Sequence, residues 1–184
     1  ATIDIEDEIK QNTNEVITEV NSFGINTSLL SGDKKEKCKY LSDKISFNSV
    51  CSEQLPHEKL EIIKQRSLSE TTAMIGDGIN DAPSLSIASV GISVGGSTGV
   101  AIQSSDVVLL NKKNLTQLTT ALKISKHTFL TIKQNLFWAF AYNIVAIPIA
   151  AMGYLNPMWG ALFMAFSDVI VIGNSIRLKY KKLD

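Results

Sequence analysis

From Met74 to Asp81 the chain reads Met-Ile-Gly-Asp-Gly-Ile-Asn-Asp. A short apolar run ends in a glycine turn bearing two carboxylates and a carboxamide. Asp77 and Asp81 stand four apart on a tight loop, so both can approach one point. Hard oxygen donors suit Mg²⁺, and ligands bind at the C-terminal edge of open α/β sheets. Gly76 and Gly78 let the backbone come close to a phosphate. A ligand-free Asx-rich turn explains Gly-Asp-Gly alone, but not so readily the full string with its flanks. Elsewhere the chain holds Ser31-Gly32-Asp33, and Lys59 in Pro56-His57-Glu58-Lys59. By themselves, Asp33 reads as a helix N-cap and Lys59 as a solvated helix lysine.

A second set of polar groups stands where polarity is costly. Residues 135–176 contain one charged side chain, Asp168. An Asp at mid-bilayer costs about 2.5–3.5 kcal/mol on insertion scales. Tyr142 and Asn143 lie in one apolar stretch, followed by Pro148, and Met164, Ser167 and Asp168 lie in the next. The last three recur at i, i+3 and i+4, which predicts a shared helix face. A thioether beside hydroxyl and carboxamide groups suits a soft monovalent cation such as Cu(I). Met164 alone is otherwise packing, and Asn143 an interhelical hydrogen bond.

The elements that must carry these groups follow from periodicity. Residues 5–22 predict a helix with Ile9, Val16, Ile17 and Val20 on one face, ended by Gly24. Strands are expected at 25–30, 50–51, 72–75, 90–94 and 107–110. Helices are expected at 34–44 and 57–66, the latter started by Pro56. This alternation argues for a parallel α/β sheet. Residues 115–134 predict a stalk helix that continues into an apolar stretch at 136–155. After the short turn Asn156-Pro157, another stretch covers 158–176. Each can cross roughly 30 Å of hydrocarbon at 1.5 Å per residue.

The 184 residues carry no net charge, so no basic bias argues for nucleic acid. The charges are confined to 1–134 and the tail from Arg177, apart from Asp168, as expected for a soluble part followed by a membrane part. Lys123, Lys126 and Lys133 before the first span, and Arg177, Lys179, Lys181 and Lys182 after the second, place both ends in the cytoplasm. Trp138, Tyr154, Trp159 and Tyr180 fall near the expected interfaces. Cys38 and Cys51, with two histidines, form no zinc pattern or disulfide framework. The start shows no signal sequence and resembles an arbitrary cut in a longer protein.

Residues 76–81 match the Gly-Asp-Gly-x-Asn-Asp hinge motif of P-type ATPases throughout. Ser31-Gly32-Asp33 is similar to their Thr-Gly-Asp, and 56–59 match Pro-x-x-Lys. The run 135–143, ending in Tyr142-Asn143, resembles the seventh membrane helix of copper-transporting members. Met164-x-x-Ser167, with Asn174-x-x-Arg177-Leu178 downstream, resembles the eighth. Asp168 replaces the second serine of that motif, and either adds an anionic ligand or takes up a proton. Zinc-transporting relatives carry a lysine in the first of these helices, and 135–176 hold none.

The resemblance implies a partial haloacid-dehalogenase-like, Rossmann-like parallel sheet followed by a transmembrane helical hairpin. The implied domains are residues 1–114 for the C-terminal part of a phosphorylation domain and 115–134 for a stalk. Spans follow at 135–155 and 158–178, with a basic cytoplasmic tail at 179–184. Ser31 and Gly32 would bind phosphoryl oxygens beside Asp33, and Lys59 would balance their charge. Asp77 would hold Mg²⁺, with Asn80 and Asp81 organising the site. Tyr142, Asn143, Met164, Ser167 and Asp168 would face transported copper.

The implied function is part of an ATP-driven copper(I) exporter in the plasma (inner) membrane. It would work with lipid, a copper chaperone and the remainder of the ATPase chain. The alternatives are a zinc or other divalent pump, a truncated non-catalytic partner of a complete pump, and a soluble phosphatase. The phosphorylated Asp of Asp-Lys-Thr-Gly-Thr does not occur here, so the fragment alone is expected to be inactive. Residues 1–134 alone are expected to leave the slot of that strand open and to fold poorly.

Overall fold

The computed structural model describes residues 9–154 and 156–180. Residues 5–8 of the first expected helix, Leu155 of the first expected span, and Lys181 and Lys182 of the expected tail lie outside them. The chain divides into two compact units, Ala1–Thr119 and Thr120–Asp184.

In the first unit the order is α1 (Thr13–Ser22), β1 (Ser28–Leu30), α2 (Lys35–Lys44), β2 (Ser49–Cys51), α3 (Pro56–Ser69) and β3 (Ala73–Gly76). A 3-10 turn (Ile79–Asp81), α4 (Ala82–Ile87), β4 (Val90–Ser93), α5 (Gly99–Gln103) and β5 (Val107–Val108) complete it. The expected parallel pairing is present, in two pieces. β1 pairs with β2, Ser28 opposite Ser49. β3, β4 and β5 form the other sheet, with Ala73 opposite Val90 and Ile92 opposite Val107. Ile63 of α3 packs in one buried cluster with Met74, Leu85 and Ala101, and Leu30 of β1 packs against it. Burial of such side chains contributes about 1.5–3 kcal/mol each, so α3 holds both sheets to one core.

Several boundaries differ from expectation for local reasons. α1 begins at Thr13 because Asn12 is left-handed (φ 61) and the Thr13 hydroxyl turns back to the Lys10 carbonyl at 2.6 Å. Asn is among the few side chains that adopt this conformation readily. β1 begins at Ser28 because the Thr27 N–H is taken by the Asn48 side chain at 2.7 Å. α3 starts where Pro56 presets φ and the Glu58 carboxylate accepts from Leu55 N–H at 2.7 Å.

In the second unit, helices α6 (Thr116–Ala151) and α7 (Pro157–Lys179) are each long and apolar enough to cross a membrane; the first turn of α6 belongs to the first unit. α6 stops four residues short of the expected end at 155. Gly153 sits in the left-handed region (φ +76), with Tyr154 N–H bonded to Ile149 O and Gly153 N–H to Ala150 O. This is a glycine-dependent helix stop, and it makes the turn longer than Asn156-Pro157. The Asn156 side chain then accepts from Met158 N–H at 3.0 Å, opening α7.

Ser84 on α4 is fully buried and its hydroxyl has no hydrogen-bond partner among the described residues. An unsatisfied buried hydroxyl is destabilising. Ser84→Ala should therefore stabilise the chain by about 1 kcal/mol, read as a raised thermal midpoint in detergent. A lowered midpoint would mean that the hydroxyl is satisfied.

Candidate functional site

β3 places Asp77 one residue beyond its end, and the 3-10 turn carries Asn80 and Asp81 back beneath it. The two carboxylates have different partners. Asp81 Oδ1 accepts from the Lys59 ammonium at 3.1 Å, with 15% and 16% of the Lys59 and Asp81 side chains exposed. The Asp81 side chain also folds tightly against the turn: a Cβ at Gly76 would lie 2.8 Å from its Cβ. Any larger residue at 76 would displace Asp81. Asp77 is exposed, and its carboxylate has no hydrogen bond or ion pair among the described residues. Asn80 is exposed on the turn.

The 31–33 segment follows β1. Ser31 Oγ donates to Asp33 Oδ2 at 2.9 Å and accepts from Asp33 N–H at 3.1 Å. The segment is pinned by Gln54 N–H to Ser31 O at 3.0 Å and Glu53 N–H to Asp33 O at 2.9 Å. Gly32 passes close to the Gln54 carbonyl. Lys37 reaches Asp33 Oδ1 at 3.2 Å. The Ser31 hydrogen bond and then the Lys37 hydrogen bond hold the Asp33 carboxyl below its ordinary 3.8 against an opposing effect of burial, and the fields of Lys37 and, least, Lys59 add to the lowering. Lys59 therefore acts electrostatically on both loops.

Among the described residues no three His, Cys, Asp or Glu side chains converge as a metal cluster. Mg²⁺ does not need one: it keeps waters and binds through one or two carboxylates plus substrate phosphates. The unengaged Asp77 fits that role, while Asp81 is already paired.

The membrane candidates separate into two groups. Tyr142 and Ser167 line a groove of about 400 Å³ with Trp138, Val145, Phe163 and Phe166. The Tyr142 hydroxyl donates to Gly160 O at 3.3 Å. Asn143, Met164 and Asp168 are exposed and outside that lining. Successive helix residues turn by about 100°, which carries Asn143 off the Tyr142 face and Asp168 off the Ser167 face. The Asn143 amide donates to Ala139 O at 2.9 Å within its own helix.

Two features escaped the sequence reading. Thr98 N–H donates to Asp77 O at 3.1 Å, bringing the loop after β4 to the site; the Gly95-Gly96 pair ending an apolar run was the available signal. Asn135 donates to Ser175 Oγ at 3.0 Å, and Asn174 donates to Asn135 Oδ1 at 2.8 Å, tying α6 to α7.

No protein-family model matches the chain. It is 42% identical over 188 residues to "Copper-transporting ATPase 2" of Rhizobium meliloti (strain 1021), covering 97% of this chain and 22% of that protein. It is 39% identical over 183 residues to "Copper-exporting P-type ATPase" of Staphylococcus aureus (strain JH9), covering 99% and 23%. The chain thus spans less than a quarter of the length of these curated relatives. Its structure is similar to the crystal structure of a zinc-transporting PIB-type ATPase in the E2.Pi state. The TM-score is 0.88 at 25% identity, over 94% of this chain and 28% of that one.

Because the Asp33 carboxyl is depressed in the fold, its stabilisation is present at neutral pH and is lost as pH falls through and below about 4. Its side chain is 44% exposed, so solvent screening limits the effect to less than about 1 kcal/mol. Asp33→Asn should be less stable than the parent at pH 7, and the difference should shrink as pH falls below the ordinary 3.8, by thermal melts across pH. A constant difference across that range would contradict this.

Proposed function

We propose that this chain, which belongs to the heavy-metal P-type ATPase family, supplies part of the phosphorylation domain and two membrane helices of an ATP-driven copper(I) exporter. It is an integral membrane protein whose α/β unit lies in the cytoplasm. The observation that carries the proposal is the presence, in one chain, of a turn that leaves one carboxylate, Asp77, unengaged and of two long apolar helices. A soluble phosphatase has no use for the helices.

In this proposal Asp77 holds Mg²⁺, which when bound neutralises charge on phosphoryl oxygens. Lys59 keeps Asp81 neutralised and adds positive potential at the 31–33 loop. Ser31 swings its hydroxyl hydrogen from Asp33 to a phosphoryl oxygen, and Lys37 then compensates the carboxylate left behind. Gly32 brings backbone to the same oxygens. The acceptor carboxylate and the ATP site come from the remainder of the pump. β1 and β3 each have an unpaired edge among the described residues, which suits insertion of the strand that carries the acceptor.

The names of the relatives favour copper as cargo, and Met164 supplies a soft donor. A divalent cargo such as zinc has two observations in its favour: the structural similarity to a zinc-transporting ATPase and the carboxylate of Asp168. Met164→Ala and Asp168→Asn in the full-length pump separate these. Copper(I)-stimulated ATP hydrolysis should fall about tenfold or more in Met164→Ala, with Asp168→Asn affected less. Zinc stimulation abolished by Asp168→Asn, with Met164→Ala unaffected on either metal, would overturn the copper assignment.

A further inference from the structure

Among the described residues the Asp77 carboxylate has no side-chain partner, so it is aimed by its backbone, and that backbone is held from an unexpected direction. Thr98 N–H donates to Asp77 O at 3.1 Å. The Thr98 hydroxyl is occupied separately, accepting from Ala101 N–H at 3.3 Å to cap α5. The turn that presents Thr98 is closed by Ser97, whose hydroxyl donates to Val94 O at 2.5 Å and accepts from Val94 N–H at 3.1 Å.

Behind this turn Gly95 lies flat on the chain leading to α6. A Cβ at 95 would stand 2.5 Å from the carbonyl carbon and oxygen of Asn111 and 2.7 Å from Leu110 O. Backbone cannot yield as a flexible side-chain end does, so only glycine permits the contact. Asn111 is fixed in turn. Its N–H donates to the Gln117 side chain at 2.8 Å, and its own side chain accepts from Lys113 N–H at 2.9 Å. Gln117 belongs to the first turn of α6. A contiguous line of bonded and touching groups therefore runs from Gln117 through Asn111, Gly95 and Thr98 to Asp77, all within the first unit.

We infer, resting on the function proposed above, that Thr98 is a positioning residue for the Mg²⁺-holding Asp77, and that Gln117, through Asn111 and Gly95, holds Thr98 in place from the first turn of α6. Contiguity alone is a spatial warrant, so the claim is about measurable coupling. Thr98 has φ −65 and ψ 153, the conformation proline already adopts. Thr98→Pro removes the N–H bonded to Asp77, and with it the cap hydroxyl. Thr98→Ala removes the hydroxyl and keeps the N–H. Gln117 is exposed, so Gln117→Ala cuts the far end of the line without opening the core.

The test uses the full-length pump in detergent, with Mg²⁺ binding read as the Mg²⁺-dependent rise in thermal midpoint. Amide hydrogen exchange is read over residues 94–101. Thr98→Pro should raise the Mg²⁺ concentration for half-maximal stabilisation by about five- to tenfold, the weight of one hydrogen bond. Thr98→Ala should change it by less than about twofold. Gln117→Ala should speed exchange of the Thr98 amide by about fivefold.

Equal Mg²⁺ affinities for Thr98→Pro and Thr98→Ala would overturn the inference. Should Thr98→Pro fail to fold, Gln117→Ala decides, and unchanged exchange at Thr98 overturns it. Asp77→Asn keeps the two layers apart. If it loses Mg²⁺ stabilisation while Thr98→Pro does not, only the inference fails. If Asp77→Asn binds Mg²⁺ like the parent, the proposed function of the turn fails with it.

Discussion

One ion pair, Lys59 to Asp81 at 3.1 Å, decides which carboxylate of the 76–81 turn is left open. Its two side chains are largely shielded, and a shielded pair broken from one side leaves an uncompensated charge. The pair ties the first turn of α3 to the 3-10 turn after β3, across 22 positions of sequence. It also removes Asp81 from competition for a cation and leaves Asp77 as the open carboxylate. The glycine at 76 is part of the same arrangement, because only an absent Cβ lets the Asp81 side chain fold against the loop. Lys59 also adds a minor field at Asp33, whose carboxyl is held chiefly by contact with Ser31 and Lys37.

That asymmetry was not legible in the sequence. Two aspartates four apart on a glycine turn look equivalent, and the partner that distinguishes them comes from another helix. What was legible rests on local rules. Pro56 marked the start of α3, Gly24 follows α1 in the left-handed region (φ +79), and the apolar runs at 72–75 and 90–94 became β3 and β4 within a residue. Elements of five or six residues, α4 and α5, left no periodic signal to read. The failure at α1 is instructive. Ile9 has the right spacing from Val16 and Val20, but Asn12 turns the chain left-handed and Gln11 bridges to Asn114 instead.

The membrane hairpin shows a different limit. Residue types identified the two spans because length and apolarity are summed properties, insensitive to any single position. The faces of those spans are set by about 100° per residue, so Ser167 and Asp168, neighbours in sequence, fall to different surroundings. The amide cluster of Asn135, Asn174 and Ser175 fixes that rotation at one end of the hairpin; at the other, the left-handed Gly153 stops α6 and the Asn156 side chain opens α7. Interhelical hydrogen bonds in membranes contribute about 0.6 kcal/mol each on average. Their effect here is therefore on register more than on stability.

The two sheets of the first unit raise a question of accounting. Backbone N–H and C=O groups within a fold are nearly always paired, and exposed strand edges are normally short or blocked. β1 and β3 are three and four residues long, and each has one partner among the described residues. Yet Leu30 of β1 and Met74 of β3 pack around one core through Ile63 of α3. Side-chain burial thus joins two strands that no hydrogen bond joins. On the function proposed, a strand from the remainder of the ATPase, laid between them, would satisfy both edges and cover Ile75, which is 38% exposed in mid-strand. It would also place its C-terminal end beside Asp77 if it ran parallel to β3. The same insertion that completes the sheet would then deliver the phosphate acceptor, so that completion of the fold and completion of the site become a single event.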